Sequence, residues 1–148
     1  MKKFKFRLDS VLRVRRHEEE QQRQRHARVV RQRQELEELR EETVSRLRSF
    51  NERRNNRVGN PQSPFLMRQE LSFMEDQHNR LLNIDNKIKR VEDKQEKERK
   101  RLIEANKKTK ILENLESKQR VRFFEDMERL EQKELNEIAI QRYNWQRR

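Results

Sequence analysis

Apolar residues recur along this chain at alternating spacings of three and four, the pattern of a helix with one buried stripe. Leu81, Ile84, Ile88, Val91, Leu102, Ala105, Thr109 and Leu112 hold one such register. A shorter stripe, Leu36, Leu39, Thr43, Leu47 and Phe50, extends backward through Val29. Between the two lies a cluster of turn formers, Asn55-Asn56-Arg57-Val58-Gly59-Asn60-Pro61-Gln62-Ser63-Pro64, which predicts a hinge. Asp9 or Ser10 can cap a first helix over about residues 8–57, followed by a turn at 58–63. Ser63 can cap a second helix over about 64–147, with Pro64 at the first helical position, where its missing N–H has no partner to lose. At the rise of an α-helix these elements would be roughly 75 and 120 Å long.

Two helices with matching stripes and one hinge predict an all-α fold: a long two-helix antiparallel coiled-coil hairpin with a longer C-terminal helix, residues 1–148 forming a single hairpin. Folding the chain about residue 61 sets residue i near residue 122−i. In that alignment the seam fails on both helices at one level. Ala27 is the sole apolar residue from Arg15 to Arg28, and opposite it Gln95 and Glu98 fill core positions, so this stretch is expected to be weakly zipped and to splay or bend. Val121, Phe123, Phe124, Met127, Leu130, Leu135, Ile138, Ile140, Tyr143 and Trp145 fall where the first helix runs out. Phe4, Phe6, Leu8, Val11 and Leu12 are the residues at hand to cover part of them.

Composition agrees with a narrow seam rather than a globular core. Of 148 residues, 30% are hydrophobic and 45% charged, whereas a two-helix seam needs only about two apolar positions in seven. One Gly and two Pro leave the backbone free to stay helical. The single Gly59 cannot build a phosphate-cradling loop. No run approaches the roughly 18 apolar residues of a bilayer span, so a cytoplasmic protein without direct membrane insertion is expected. With no Cys, thiol chemistry and disulfides are excluded.

Charge is unevenly placed. The formal net charge is +12; residues 1–33 carry 12 basic and 4 acidic side chains, residues 34–57 carry 6 of each, and residues 94–110 carry 8 basic against 3 acidic. The hairpin alignment gathers much of this excess into a collar around the half away from the hinge. His17 and His26 fall on opposite faces of one helix and His78 lies on the other, which is no metal-ligand spacing. Carboxylates such as Glu18, Glu19 and Glu20, or Glu125, Asp126 and Glu128, sit on an exposed helix with no pocket to raise a pKa. Neither catalysis nor a cofactor is expected.

Arg13, Arg15, Arg16, Arg23, Arg25, Arg28, Arg31 and Arg33 ahead of Val29, Leu36, Thr43 and Phe50 have the outline of a basic zipper. The hinge stops the repeat, and the base-reading Asn-x-x-Ala-Ala run is absent; no specific nucleic acid is expected. After the hinge, Phe65, Leu66, Met67, Leu71, Phe73 and Met74 cover more than one helical face, which suggests a docking tip. A nucleic-acid-binding or scaffolding coiled coil stays open as an alternative function, as does a self-associating coiled coil.

The opening Phe4-Lys5-Phe6-Arg7-Leu8-Asp9-Ser10-Val11-Leu12-Arg13 resembles the start of flagellar export protein FliJ sequences. Lys110-Ile111-Leu112-Glu113-Asn114-Leu115 and Glu131-Gln132-Lys133-Glu134-Leu135-Asn136-Glu137-Ile138-Ala139 resemble their close. The resemblance implies a fold like the antiparallel coiled coil of rotary-ATPase gamma stalks, and a nonenzymatic component of the flagellar type III export apparatus at the cytoplasmic face of the inner membrane. It implies insertion into the hexameric ring of the export ATPase FliI, contact with the export gate protein FlhA, and handling of export chaperones. Carried onto this chain, the ring-binding residues would be Arg13, Arg15, Arg16, Arg122, Arg129 and Lys133. The gate-binding residues would be Phe73, Met74, Gln77 and Leu81, while Phe123, Phe124, Met127 and Tyr143 could serve the ring or a chaperone.

Overall fold

The computed structural model describes residues 3–57, 59 and 61–146. It contains two antiparallel α-helices packed on each other, α1 (Asp9–Asn55, 47 residues) and α2 (Pro64–Gln146, 83 residues), and no strand among the described residues. Val58 and Asn60 of the expected turn, and Arg147 at the expected end of the second helix, lie outside the described residues.

Local chemistry accounts for the helix ends. The first bond of α1 runs from the Leu12 N–H to the Leu8 carbonyl at 2.9 Å, and Asp9 in the first turn pairs with Arg13 one turn on, a carboxylate at the positive end of the helix dipole. At the other end Arg57 donates to the Arg53 carbonyl at 3.3 Å, an acceptor the helix end leaves open, and the Arg53 side chain adds a second donor to the Ser49 carbonyl at 3.3 Å. Gly59 then takes a φ of 105°, a left-handed conformation that a Cβ disfavours. Ser63 caps α2: its Oγ accepts from the Phe65 N–H at 3.3 Å, its carbonyl accepts from Met67 N–H at 3.2 Å, and Pro64 opens the helix.

Internal packing divides the chain into two units, Gln21–Leu102 and Met1–Glu20 with Ile103–Arg148. Within Gln21–Leu102, Val29, Thr43 and Ile84 are buried, and Leu36, Leu39, Leu47, Phe50, Leu81, Ile88 and Val91 half-buried. Buried Thr43 satisfies its hydroxyl on the Leu39 carbonyl at 2.8 Å. Ion pairs Arg33–Glu92 at 3.2 Å and Arg40–Asp85 at 2.7 Å flank the stripe. They also measure the register: folding about residue 61 sets Arg40 against Leu82, and it meets Asp85, within one turn of that position. At the hinge Arg57 pairs with buried Glu70 at 3.1 Å, and the first turn of α2 runs past the end of α1.

Within this unit, part of the stretch where the sequence predicts splaying carries a polar contact between the helices. Buried Gln22 donates to the Glu98 carboxylate and, at 3.3 Å, to the Glu98 carbonyl, while Arg101 reaches the same carboxylate at 2.9 Å. Glu98 is satisfied at its core position, whereas the Gln95 side-chain oxygen and His26 Nε2 are buried without a hydrogen-bond partner. On the outer face Arg99 holds Glu96 through bonds of 2.8 and 3.0 Å. That hydrogen bond keeps the Glu96 carboxyl below its ordinary range against a smaller opposing effect of desolvation, and raises the guanidinium in turn.

The other unit has its own seam. Leu12 is 1% exposed, and Phe6, Glu19 and Thr109 are buried. Asn106 donates to Glu19 at 2.9 Å, and the Thr109 hydroxyl to the carbonyls of Ala105 at 3.1 Å and Arg15 at 3.4 Å. Ahead of α1, Phe4 stacks on Phe123 with centroids 5.7 Å apart, and the Arg120 guanidinium lies 5.7 Å from the Phe4 ring, a tilted aromatic pair with a cation over one face. Phe4 thus covers Phe123, Phe6 and Leu12 are buried, and Val11 stays exposed.

Candidate interaction surfaces

Three surfaces carry the residues singled out by sequence. The first is basic and lies in the unit Met1–Glu20 with Ile103–Arg148. Arg13 pairs with Asp9, Arg15 with Glu18 at 2.7 Å, and Arg16 with Glu113 of α2 through bonds of 3.0 and 3.1 Å to one carboxylate oxygen. These pairs are largely solvated, and such pairs are worth about 0–1 kcal/mol each, so an acidic partner can replace the carboxylates at small cost. Arg122, Arg129 and Lys133 are exposed on α2. Their spacing of seven and four places them on one side of the helix.

The second surface is the beginning of α2 within Gln21–Leu102. Phe73, 37% exposed, stacks on Phe50 with centroids 4.7 Å apart; Met74 receives Arg54 at 3.1 Å; Gln77 and Leu81 are half-buried, the Gln77 carbonyl oxygen buried without a hydrogen-bond partner. All four line the edge of the seam. The apolar surface open to a partner lies beside them, on Phe65 (64% exposed), Met67, Leu71 and Leu82. The projection of α2 past α1 leaves Phe65 and Met67 uncovered. Leu82 was not among the sequence candidates, although its place one residue beyond seam position Leu81 puts it on the flank.

The third surface is the end of α2. Phe123 and Met127 are half-buried, Phe124 is exposed, and every side chain from Glu128 to Trp145 is exposed. Trp145 reaches 87%. Among the described residues, no group of three or more His, Asp or Glu side chains could hold a metal, and no helix is long and apolar enough to cross a membrane.

A family model described as flagellar FliJ protein matches residues 4–148. No curated protein and no solved structure matches the chain.

Proposed function

This chain belongs to the flagellar FliJ family, a family of export-associated proteins, and from that membership we propose that it is the nonenzymatic stalk that couples the export ATPase to the export gate. The observation that carries the proposal is the basic surface of the unit Met1–Glu20 with Ile103–Arg148. Arg122, Arg129 and Lys133 present cations along one side of α2, and Arg13, Arg15 and Arg16 hold theirs in exchangeable pairs. An acidic lining inside the FliI ring is the complementary partner. Exposed charge pairs favour fast, salt-sensitive docking over deep and rigid binding.

The gate protein FlhA falls to the start of α2. Phe73, Met74, Gln77 and Leu81 shape that surface from the seam, and the exposed Phe65, Met67, Leu71 and Leu82 offer its apolar contacts. Export chaperones are the third class of partner, and the chain works at the cytoplasmic face of the export apparatus.

The test is ATP hydrolysis by the cognate ATPase with Arg13→Glu/Arg15→Glu/Arg16→Glu. Stimulation should fall on the order of tenfold, as several charge contacts are reversed together, with helicity by circular dichroism retained. Glu113→Gln removes only the internal partner of Arg16 and should leave stimulation intact. Undiminished stimulation by the triple variant would reject the basic surface as the docking site.

A further inference from the structure

The exposed end of α2 carries a second heptad pattern, distinct from the seam that α1 covers. Phe124, Glu131, Ile138 and Trp145 recur every seven residues, and Glu128, Leu135 and Arg142 form the interleaved row. Together they make one stripe along the helix. The seam row that ends in Phe123 is met by Phe4. The stripe begins one residue further round, and no segment of the described chain lies on it from Glu128 onward. Four large apolar side chains at heptad positions, all solvated, ask for another helix.

We propose that the occupant is the same stripe of a second copy, running antiparallel about a two-fold axis at Leu135. The charge pattern selects this partner. A two-fold at Leu135 places Leu135 against its own counterpart, brings Glu128 of each copy opposite Arg142 of the other, and sets Phe124 within one residue of the level of Trp145. A parallel pairing in register would instead stack Glu128 on Glu128 and Arg142 on Arg142, which is repulsive. Polar pairs at core positions are already part of this protein's packing, as Gln22 with Glu98 and Asn106 with Glu19. Trp145, Ile138 and Arg142 line a shallow notch with Gln141, and in this arrangement the notch faces Glu128 of the second copy, with Phe124 beside its Trp145 end. Arg122, Arg129 and Lys133 lie about half a turn round the helix from the stripe, so the dimer leaves them solvated. The proposal does not rest on the ATPase reading.

Light scattering on the full chain, from low to high micromolar concentration, should show a mass rising from 18.6 kDa toward twice that value. Leu135→Lys sets like charges on the axis and should raise the dissociation constant on the order of tenfold or more. Its helicity should stay unchanged, because Leu135 is 65% exposed in the single chain. Glu128→Arg should weaken the dimer, and Glu128→Arg/Arg142→Glu should restore it. A chain that keeps the mass of one copy throughout, or a dimer indifferent to Leu135→Lys, overturns the proposal. Failure of the charge swap to restore association overturns the antiparallel register.

Discussion

At the residue scale, Gln22 and Glu98 decide whether the polar stretch of the seam holds. The Glu98 carboxylate is buried, with the Gln22 amide on one side and Arg101 on the other. Removing the amide leaves the carboxylate desolvated with one donor fewer, so Gln22→Leu should lower stability by about 1–3 kcal/mol. Urea unfolding followed by circular dichroism reads this directly. Gln22→Leu/Glu98→Leu removes donor and acceptor together and should regain that loss or exceed the parent. A double variant no more stable than the single would show that the two side chains are not coupled. Periodicity places Gln95 and Glu98 at core positions but reads them as a gap. The bond that satisfies Glu98 joins side chains far apart in sequence, and no local pattern encodes such a partner; the Gln95 side-chain oxygen stays without one.

At the element scale, the start of α2 was legible because capping chemistry is local, whereas α1 opens with the Leu8 carbonyl accepting its first bond rather than with Asp9 or Ser10 as the cap. Gly59 needs its φ of 105° and nothing lies within 4 Å of where its Cβ would be, so the cost of Gly59→Ala is backbone strain alone, about 1 kcal/mol. Ser63→Ala removes the acceptor of the Phe65 N–H and should cost about 1 kcal/mol as well. Thermal unfolding of the two variants and their double checks both figures; an unchanged midpoint for Ser63→Ala would show that Pro64 alone starts α2. Register was less legible. It depends on how the connection rises from Asn55 to bring Arg57 onto Glu70, a three-dimensional detail that turn propensities do not contain. The projection of α2 past α1 leaves Phe65 and Met67 exposed, while helix periodicity turns Leu71 and Leu82 away from the face of Phe73, Met74, Gln77 and Leu81. Leu71→Ala/Leu82→Ala should therefore weaken gate binding at least as much as Phe73→Ala/Leu81→Ala, at smaller cost to stability. Titration of each variant against the cognate gate protein compares them, and equal binding by the parent and Leu71→Ala/Leu82→Ala would exclude the exposed flank.

At the scale of the whole molecule, family membership makes the chain a flagellar export-associated protein, and its two packed helices fit a coiled coil. The basic residues were visible in sequence as a count. Their pairing was not, since Arg16 with Glu113 joins two helices while Arg13 and Arg15 stay within one. Because the basic surface is solvated, stimulation of the ATPase should fall steeply as salt rises toward a Debye length of about 3 Å at 1 M. Salt-independent stimulation would point to an apolar contact instead. The most direct measurement titrates this chain into a fixed concentration of the cognate export ATPase and follows ATP hydrolysis. A stalk in a ring predicts that the rate rises and saturates at one chain per ring. A rate that never rises, or that saturates at one chain per ATPase subunit, contradicts it.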